Sequence, residues 1–370
     1  MQLTIFTKIL TFIIFVAAVN GSTEAEDLGS LEIAPELTKA LESGDLKLLE
    51  PEPGYQPPSP TLRNPPVYPF RQQRKSQGGI VEIVFMVSEK GTTFSAMVVD
   101  STHPEFEPAA IEAVNNYLYE PATVNGKPVD SVSEIRIMFA MRDSKDAATP
   151  RYSRLYRRAK ASLSSDNPDR QKIRKTLDNM ADEDFLSNYT LAYLYLLEYS
   201  FAEKFLGKSD QLQALRKLLL FEGKVEEKNQ LLDAATMKSI RMNILQLLIQ
   251  LGFYGEARNE FYWLNKELSD AAKPFESAMS QVYEKLKQGG VIARPIEIPD
   301  RGYDFHYLTK RSFEIDVAAG QIEKLNFYCT QKFGTMSFIP ASNYQVPEDW
   351  GSCNVQIVGE PKTKATLYQQ

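Results

Sequence analysis

The stretch that decides the first half of the fold is residues 79–101, which read GIVEIVFMVSEKGTTFSAMVVDS. Alternate residues from 81 to 87 are apolar and share one face, which is the period-two pattern of a half-buried strand. Glu89-Lys90-Gly91 is a turn in which glycine supplies a permissive backbone. Residues 92–101 then form a second strand, so the stretch predicts a β-hairpin that opens at Gly79.

Helical periodicity follows the hairpin in residues 104–118. The apolar stripe of this helix comprises Phe106, Ala109, Ala110, Ala113, Val114 and Tyr117. Asn125-Gly126 marks a tight turn, and residues 133–141 alternate again, with the odd-numbered apolar side chains on the inner face. The order strand, strand, helix, strand predicts a compact α/β unit over residues 66–145.

Several short motifs in this unit, taken in their order and spacing, resemble the C-terminal domain of TonB. The residues that carry the resemblance are Tyr68, Pro69, Gly79, Gly91, Phe106, Ala110, Pro121, Gly126 and Pro128. The last three belong to two segments, Tyr119-Glu120-Pro121-Ala122 and Asn125-Gly126-Lys127-Pro128-Val129. The resemblance is confined to residues 66–145 of the 370. The alternative is an unrelated small α/β sandwich that shares the turn chemistry.

The resemblance implies a binding function at the edge of the sheet. In the TonB family, the last strand of this domain receives the short N-terminal box of an outer-membrane transporter. An edge strand exposes unpaired N–H and C=O groups, to which an extended peptide can add as a further strand. Carried over, the peptide-binding edge consists of Glu134, Ile135, Arg136, Ile137, Met138, Phe139 and Ala140. The outward-facing side chains of Glu134, Arg136 and Met138 are the candidates for selectivity.

The N-terminus has the pattern of an export signal. Residues 1–21 contain one charge, Lys8, followed by an apolar run and by small residues near a plausible cleavage point. We expect a cleaved signal peptide and a periplasmic protein of the Gram-negative envelope. The alternative is a retained helix that anchors the chain in the inner membrane, facing the periplasm. Residues 22–65 form a linker that is first acidic, where residues 34–49 could hold one short amphipathic helix, and then Pro-rich. The Pro-rich stretch is predicted to be extended.

Two features depart from an energy-transducing TonB. Such a protein keeps its N-terminal helix in the inner membrane, where a histidine couples it to a proton-driven complex, and it normally ends after this domain. Here the first histidine is His103, and residues 146–370 follow the domain. Direct transmission of force is therefore not the expectation, and membrane contact is expected only if the N-terminal helix is retained.

Residues 150–290 are predicted to be helical. Apolar residues recur at helical spacing in residues 186–205, 212–221, 237–251 and 257–268. The stretch around Gly252, with Ala257, Phe261 and Leu264 after it, resembles the turn region of a tetratricopeptide repeat (TPR). We expect an α-solenoid whose concave surface binds a second protein partner, and a plain helical bundle is the alternative.

Residues 295–370 return to strand patterns that are interrupted by glycines. Cys329 and Cys353 both lie here, and export permits a disulfide between them. Closing a loop of about 25 residues would stabilise this region by roughly 3 kcal/mol. We predict a small disulfide-stapled β domain, with two free buried thiols as the alternative. Two cysteines alone are too few for a zinc site.

Composition and motifs remove several classes of function. The formal charge is −6, from 48 acidic and 42 basic residues, which gives no indication of nucleic-acid binding. Only two histidines and two cysteines are present, and the sequence has no nucleophile elbow, phosphate loop or Cys-x-x-Cys motif. His103 and His306 are expected to pack rather than to catalyse. We therefore expect no enzyme activity, no cofactor and no metal.

Together these patterns predict a multidomain α+β protein that binds other envelope proteins and acts in TonB-dependent transmembrane transport. Its expected partner is an envelope-protein peptide, such as the N-terminal box of an outer-membrane TonB-dependent transporter. Two alternatives stay open: a membrane-anchored TonB energy transducer, and a peptidoglycan-associated structural protein of the envelope. An enzyme is the last alternative.

Overall fold

The structure is a computed structural model, and it describes residues 54–140, 148–222, 231–287 and 291–370. The predicted signal peptide, the linker up to residue 53 and Met141 lie outside the described residues. Three parts follow one another: an α/β domain (residues 54–140), a helical region (residues 148–287) and a C-terminal β domain (residues 291–370). The predicted multidomain α+β architecture is confirmed. Within the described ranges, no helix combines the length and the apolar character needed to cross a membrane.

The α/β domain is built around a three-stranded sheet. In chain order its elements are β1 (Tyr55–Gln56), β2 (Ser59–Leu62), α1 (Phe70–Arg74), β3 (Gly79–Val87), β4 (Thr93–Ser101), α2 (Glu107–Asn115), β5 (Leu118–Glu120), β6 (Ala122–Val124), β7 (Lys127–Val129) and β8 (Ser131–Phe139). The sheet has the antiparallel order β4-β3-β8. Helix α2 covers one face of it, over a core that includes Val81, Ile83 and Phe85.

Helix α2 is shorter than the predicted range of residues 104–118. A 3₁₀ turn, Pro104–Phe106, precedes it, and Tyr117 lies beyond its end. At the helix end the carbonyl of Val114 accepts two hydrogen bonds, from the hydroxyl of Thr93 at 2.6 Å and from the N–H of Tyr117 at 3.0 Å. Tyr117 is nevertheless buried. The predicted end was wrong because the apolar stripe continues past the helix.

The last part of the predicted linker pairs with the α/β domain. Strand β1 pairs with β6, and β2 pairs with β5, both in antiparallel fashion. Pro60 lies in β2, opposite Tyr119. Because proline has no N–H to donate, it is confined to edge strands such as this one. Strand pairing therefore starts at Tyr55, ahead of residue 66.

The helical region follows the expected apolar periodicity. Its described helices are α3 (Pro150–Leu163), α4 (Arg170–Ala181), α5 (Asn188–Phe205), α6 (Lys208–Leu219), α7 (Ala234–Gln250), α8 (Tyr254–Glu267), α9 (Ser269–Ala272) and α10 (Glu276–Lys287). Four of them start after a side chain that caps the helix by accepting a backbone hydrogen bond, namely Thr149, Asp169, Ser187 and Asp233. Consecutive helices from α3 to α8 pack on each other around one core.

The helix–turn–helix around Gly252 is present in the structure. Gly252 has a φ of +76° between the end of α7 and the start of α8, a conformation that favours glycine. Ala257, Phe261 and Leu264 are buried. Antiparallel helix pairs of this kind occur both in solenoids and in bundles. The TPR-like solenoid therefore stays a prediction.

The C-terminal β domain is a sandwich of two four-stranded antiparallel sheets. Its strands are β9 (Ile292–Glu297), β10 (Tyr303–Tyr307), β11 (Ser312–Ala319), β12 (Ile322–Cys329), β13 (Phe333–Ser337), β14 (Asn343–Gln345), β15 (Cys353–Gly359) and β16 (Lys364–Gln369). The sheets have the orders β10-β15-β12-β13 and β14-β11-β16-β9. Cys329 and Cys353 lie opposite each other on β12 and β15 and form the predicted disulfide.

The second face of the β4-β3-β8 sheet is covered by the other two parts of the chain. Val84 and Met86 point away from α2 and are buried against Phe305 and Tyr328 of the C-terminal β domain. Ile80 joins the core of the helical region. The centre of this face is therefore covered, and its margin along β8 stays accessible, where Met138 keeps 47% of its surface exposed.

Candidate functional site

Strand β8 forms one edge of the sheet, and its outward backbone groups can be identified from its neighbour β3. The register is unbroken, with Val81 of β3 opposite Ile137 of β8. The N–H and C=O of Ile80 bond to Thr102, on the β4 side of β3. Because the N–H and C=O groups alternate in direction along a strand, the odd-numbered residues of β3 direct these groups toward β8. The even-numbered residues of β8 therefore direct their N–H and C=O groups away from the sheet.

These outward backbone groups belong to Val132, Glu134, Arg136 and Met138. Among the described residues, no hydrogen bond joins any of them to another part of the chain. The last three residues are exposed as whole residues. Met138 keeps 47% of its surface accessible, and the side chain of Arg136 keeps 33%. Strand β8 thus offers unpaired donors and acceptors at every second residue, which is the arrangement that a further strand needs.

The side chains of the odd-numbered residues of the predicted edge pack into the core. Ile137 and Phe139 are buried beneath α2, and Ile135 is half-buried against the same cluster. Their side chains position the strand and are not accessible to a partner. Ala140 follows the end of β8 and is exposed.

Arg136 connects the edge strand to the helical region. Its Nε donates to Glu82 Oε1 at 2.8 Å. Its Nη1 donates to the carbonyl oxygens of Leu219 at 2.8 Å and Glu222 at 3.0 Å, at the end of α6. A cation at the last carbonyls of a helix is favourable. The guanidinium is therefore engaged within the chain, although the sequence suggested that it faces outward for selectivity.

Glu134 has a different environment from Arg136. It forms no ion pair with another described residue. Desolvation and the nearby carboxylate of Glu82 raise the pKa of Glu134, and the guanidinium of Arg136 partly offsets them. Its side chain is exposed. An accessible carboxylate beside a second one favours a cation as its partner.

The C-terminal end of the β8 edge is tied to the helical region. Asn188, at the start of α5, donates from Nδ2 to the carbonyl oxygen of Phe139 at 3.0 Å. The N–H of Gly78 donates to the carbonyl oxygen of Leu186 at 2.7 Å. These bonds hold the start of β3 and the end of β8 against α5. The accessible part of the edge is therefore centred on Glu134, Arg136 and Met138.

The opposite edge of the sheet, β4, is occupied by side chains of the C-terminal β domain. The hydroxyls of Tyr328 and Tyr303 donate to the carbonyl oxygens of Ser95 and Val98, at 3.0 and 2.8 Å. Nη1 of Arg301 donates to a third β4 carbonyl, that of the residue after Val98, at 2.7 Å. Sequence reasoning missed these three side chains. More than 200 residues separate them from β4, so no local pattern could reveal the contact.

The aromatic motif residues form the end of the core near Gly79. Phe106 is fully buried, and its ring centroid lies 5.7 Å from Tyr68 and 4.5 Å from Phe139. The hydroxyl of Tyr68 donates to a backbone carbonyl, that of Gln77. A side chain at Gly79 would collide with Phe106. Ala110 is buried on α2, and like these residues it has a structural role.

The other motif residues shape turns. Gly91 has a φ of +79° and Gly126 a φ of +78°, in the turns that follow β3 and β6. Pro121 separates β5 from β6, Pro128 lies in β7, and Pro69 precedes α1. They fix the path of the chain around the sheet and do not lie along the outer side of β8.

Both histidines contact neighbouring residues of the chain. His103 caps the 3₁₀ turn, where its Nδ1 accepts from the N–H of Glu105 at 3.3 Å. His306 is buried in β10, and its Nε2 lies 3.0 Å from Asp304 Oδ2. In the part of the chain that the structure describes, no group of three or more His, Cys, Asp or Glu side chains is placed to hold a metal ion.

Comparison with known proteins identifies the α/β domain. Residues 64–141 match the family model described as Gram-negative bacterial TonB protein C-terminal. The solution NMR structure of the Pseudomonas aeruginosa TonB CTD is similar with 24% sequence identity, over 23% of this chain and 88% of that chain, with a TM-score of 0.21. No curated protein matches the chain. The family match confirms the TonB C-terminal domain for this part of the chain.

Proposed function

We propose that this protein is a non-enzymatic periplasmic adaptor that binds an extended envelope-protein peptide by strand addition to β8. The match at residues 64–141 supports a TonB-like role in envelope transport. The observation that carries the proposal is the outer side of β8, where four backbone N–H and C=O pairs have no partner among the described residues. The proposed ligand is the N-terminal box of an outer-membrane TonB-dependent transporter.

Strand addition at β8 is favoured over addition at β4 by the contacts of the C-terminal β domain. Three carbonyl oxygens of β4 already accept hydrogen bonds from Arg301, Tyr303 and Tyr328. An intramolecular hydrogen bond contributes only about 0.5–1.5 kcal/mol net, so displacing these groups for a peptide would gain little. At β8 each new main-chain bond is an addition, and side chains along the edge set the selectivity.

The helical region is proposed to bind a second protein on the surface that it does not use within the chain. Part of its surface is already committed, because Asn188, Tyr195 and Lys217 bond to the α/β domain. The N-terminal segment is proposed to be a cleaved export signal. A mature N-terminus near Ser22, found by sequencing the exported protein, would support it, whereas an intact N-terminus would favour the membrane-anchored transducer.

The strand-addition proposal can be tested by removing a single outward N–H. In the Met138→Pro variant the edge loses one donor, but β8 keeps its bonds to β3 because the N–H of Met138 points outward. The matched control Met138→Ala loses the same side chain and keeps the N–H. Binding of a fluorescent peptide that copies a transporter box is measured by anisotropy, with the full-length mature chain.

We expect Met138→Pro to weaken peptide binding at least tenfold, and Met138→Ala to stay within a few-fold of the wild type. A circular-dichroism melt establishes that both variants are folded. Equal binding by both variants would contradict strand addition at β8. If the box peptide does not bind the wild-type protein, but purified sacculi pull the protein down, a peptidoglycan-associated role would replace the proposal.

A further inference from the structure

We propose that the peptide bound at β8 carries a basic residue opposite Glu134 and a large apolar residue opposite Met138, four positions away. The inference rests on strand addition at β8 and specifies the partner of that edge. It follows from the face on which these side chains lie, from the charges around them and from the hydrogen bonds that Arg136 makes within the chain.

The geometry of a sheet fixes which side chains of the peptide meet β8. Residues directly opposite each other on neighbouring strands project to the same face and interact there. Glu134, Arg136 and Met138 share the face of β3 that carries their partners Val84, Glu82 and Ile80. Every second residue of an added strand therefore projects to this face. At about 3.3 Å per residue, the positions opposite Glu134 and Met138 are about 13 Å apart.

The charges around Glu134 favour a cation on the peptide. The groups that act on its carboxylate are Glu82 and Arg136. Nε of Arg136 lies 2.8 Å from Glu82 Oε1, so this cation is already paired. Burial, followed by the carboxylates of Glu134 and Glu82, raises the pKa of Tyr307 in the C-terminal β domain. Arg216 and Arg294 lower it, and both of these cations are already paired with Glu256. A Lys or Arg opposite Glu134 would supply the missing positive charge.

Arg136 is not placed to select an acidic residue. Besides Glu82, its guanidinium bonds to two carbonyl oxygens at the end of α6. Its donors are therefore directed into the chain, and a carboxylate on the peptide would have to compete with these bonds. The position opposite Arg136 is consequently the one with the weakest charge requirement.

Met138 accounts for the apolar position. Nearly half of its surface is exposed on the accessible part of the edge. A methionine side chain adapts to the shape of an apolar partner, so it tolerates several large aliphatic or aromatic residues there. The two requirements together define a pattern of one basic and one apolar residue with three residues between them.

The test uses nine-residue host peptides of alternating Thr and Val, in which one residue is replaced by Leu in every peptide. The residue four positions from this Leu is Lys, Gln or Glu, and each peptide is made in both orders, because strand addition can be parallel or antiparallel. Affinities for the full-length mature chain are measured by anisotropy at low salt and at 1 M salt. The Glu134→Gln and Glu134→Lys variants are compared with Glu323→Gln, a control at an exposed position of β12.

In at least one order, we expect the Lys peptide to bind the wild type about 1.5- to 5-fold more tightly than the Gln peptide, as for opposite charges on neighbouring strands. The preference should vanish at 1 M salt, where the Debye length is about 3 Å. Glu134→Gln should abolish it, Glu134→Lys should reverse it toward the Glu peptide, and Glu323→Gln should leave it unchanged.

Two failures are distinguishable. If the peptides bind the wild type with equal affinity whatever their charge, or if Glu134→Lys keeps the preference for Lys, the charge rule is wrong and strand addition stands. If none of the peptides binds, and the transporter-box peptide also fails, then strand addition itself is wrong.

Discussion

Replacing Gly79 by alanine tests the packing that fixes the start of the sheet. A Cβ at this position would lie 2.3 Å from Cδ2 and 2.4 Å from Cε2 of Phe106. The Phe106 ring has little room to retreat, because it is fully buried and packs on the rings of Tyr68 and Phe139. The added carbon must therefore displace either the ring or strand β3.

Two opposing effects determine the size of the change. Forcing an extra carbon into a well-packed core costs about 1–3 kcal/mol. Alanine also restricts the unfolded chain and is more favourable than glycine within a strand, which recovers about 0.5–1 kcal/mol. The net loss lies between about 0 and 2.5 kcal/mol, and the midpoint of about 1.25 kcal/mol corresponds to a roughly eightfold change in the opening equilibrium, since about 1.4 kcal/mol is a factor of ten.

Hydrogen exchange followed by mass spectrometry measures this change locally in the full-length chain. Peptides that cover β3 and β8 should exchange about eightfold faster in Gly79→Ala, in line with a net loss of about 1.25 kcal/mol. Gly207→Ala is the matched control, because the nearest atom to its added Cβ is at an ordinary contact distance of 3.5 Å. This control should leave exchange in β3 unchanged.

A second substitution makes the reasoning refutable. Phe106→Leu removes the ring atoms that meet the new Cβ, so Gly79→Ala should be much better tolerated in this background. Residues in contact usually show coupling energies of about 0.5–3 kcal/mol in such a cycle. An equal cost of Gly79→Ala in both backgrounds, or unchanged exchange in β3, would show that the contact with Phe106 does not determine the stability of the strand.

Two further outcomes concern the C-terminal β domain. Replacing both Cys329 and Cys353 by serine should lower its free energy of unfolding by about 3 kcal/mol for a loop of this length. Urea titration followed by fluorescence measures the change, with Trp263→Phe in both proteins so that Trp350 alone emits. An unchanged midpoint would argue against the disulfide as a stabilising link. Burial lowers the pKa of His306 below its ordinary value of 6.5, so the unfolded chain binds the proton more tightly. The contribution of His306 to stability should therefore be constant above about pH 7.5 and fall as the pH drops through about 6.5. His306→Gln should reduce the loss of stability seen in thermal melts between about pH 7.5 and 5.5, and equal losses in both proteins would contradict this.

Local periodicity predicted the strands and helices well, because each is encoded by residues close together in the chain. The hairpin from Gly79, the edge strand around Arg136 and the helices on either side of Gly252 are examples. The prediction was less accurate where burial continues beyond a regular element, as at Tyr117, which is buried but lies past the end of α2.

Contacts between the three parts of the chain were beyond sequence reasoning. The alternation of β8 placed Arg136 on the outward face, yet its guanidinium bonds to the carbonyl of Leu219, 83 residues away. The same holds for Tyr328, whose hydroxyl reaches Ser95 across 233 residues. Such pairs depend on how the folded parts dock, and a tyrosine in a strand pattern looks the same whether its hydroxyl meets water or a distant carbonyl.

The side chains that occupy β4 have a consequence for assembly. A sheet with two unpaired edges can pair with further copies at both edges and grow into a filament, whereas a sheet with one unpaired edge can pair with only one further strand. Tyr303 and Tyr328 bond to carbonyl oxygens of β4 and so hinder pairing at that edge. With strand addition at β8 as proposed, the expected stoichiometry at the sheet is one bound peptide per chain. Deletion of the C-terminal β domain would leave both edges of the sheet open, and edge-to-edge association of several copies would then be expected.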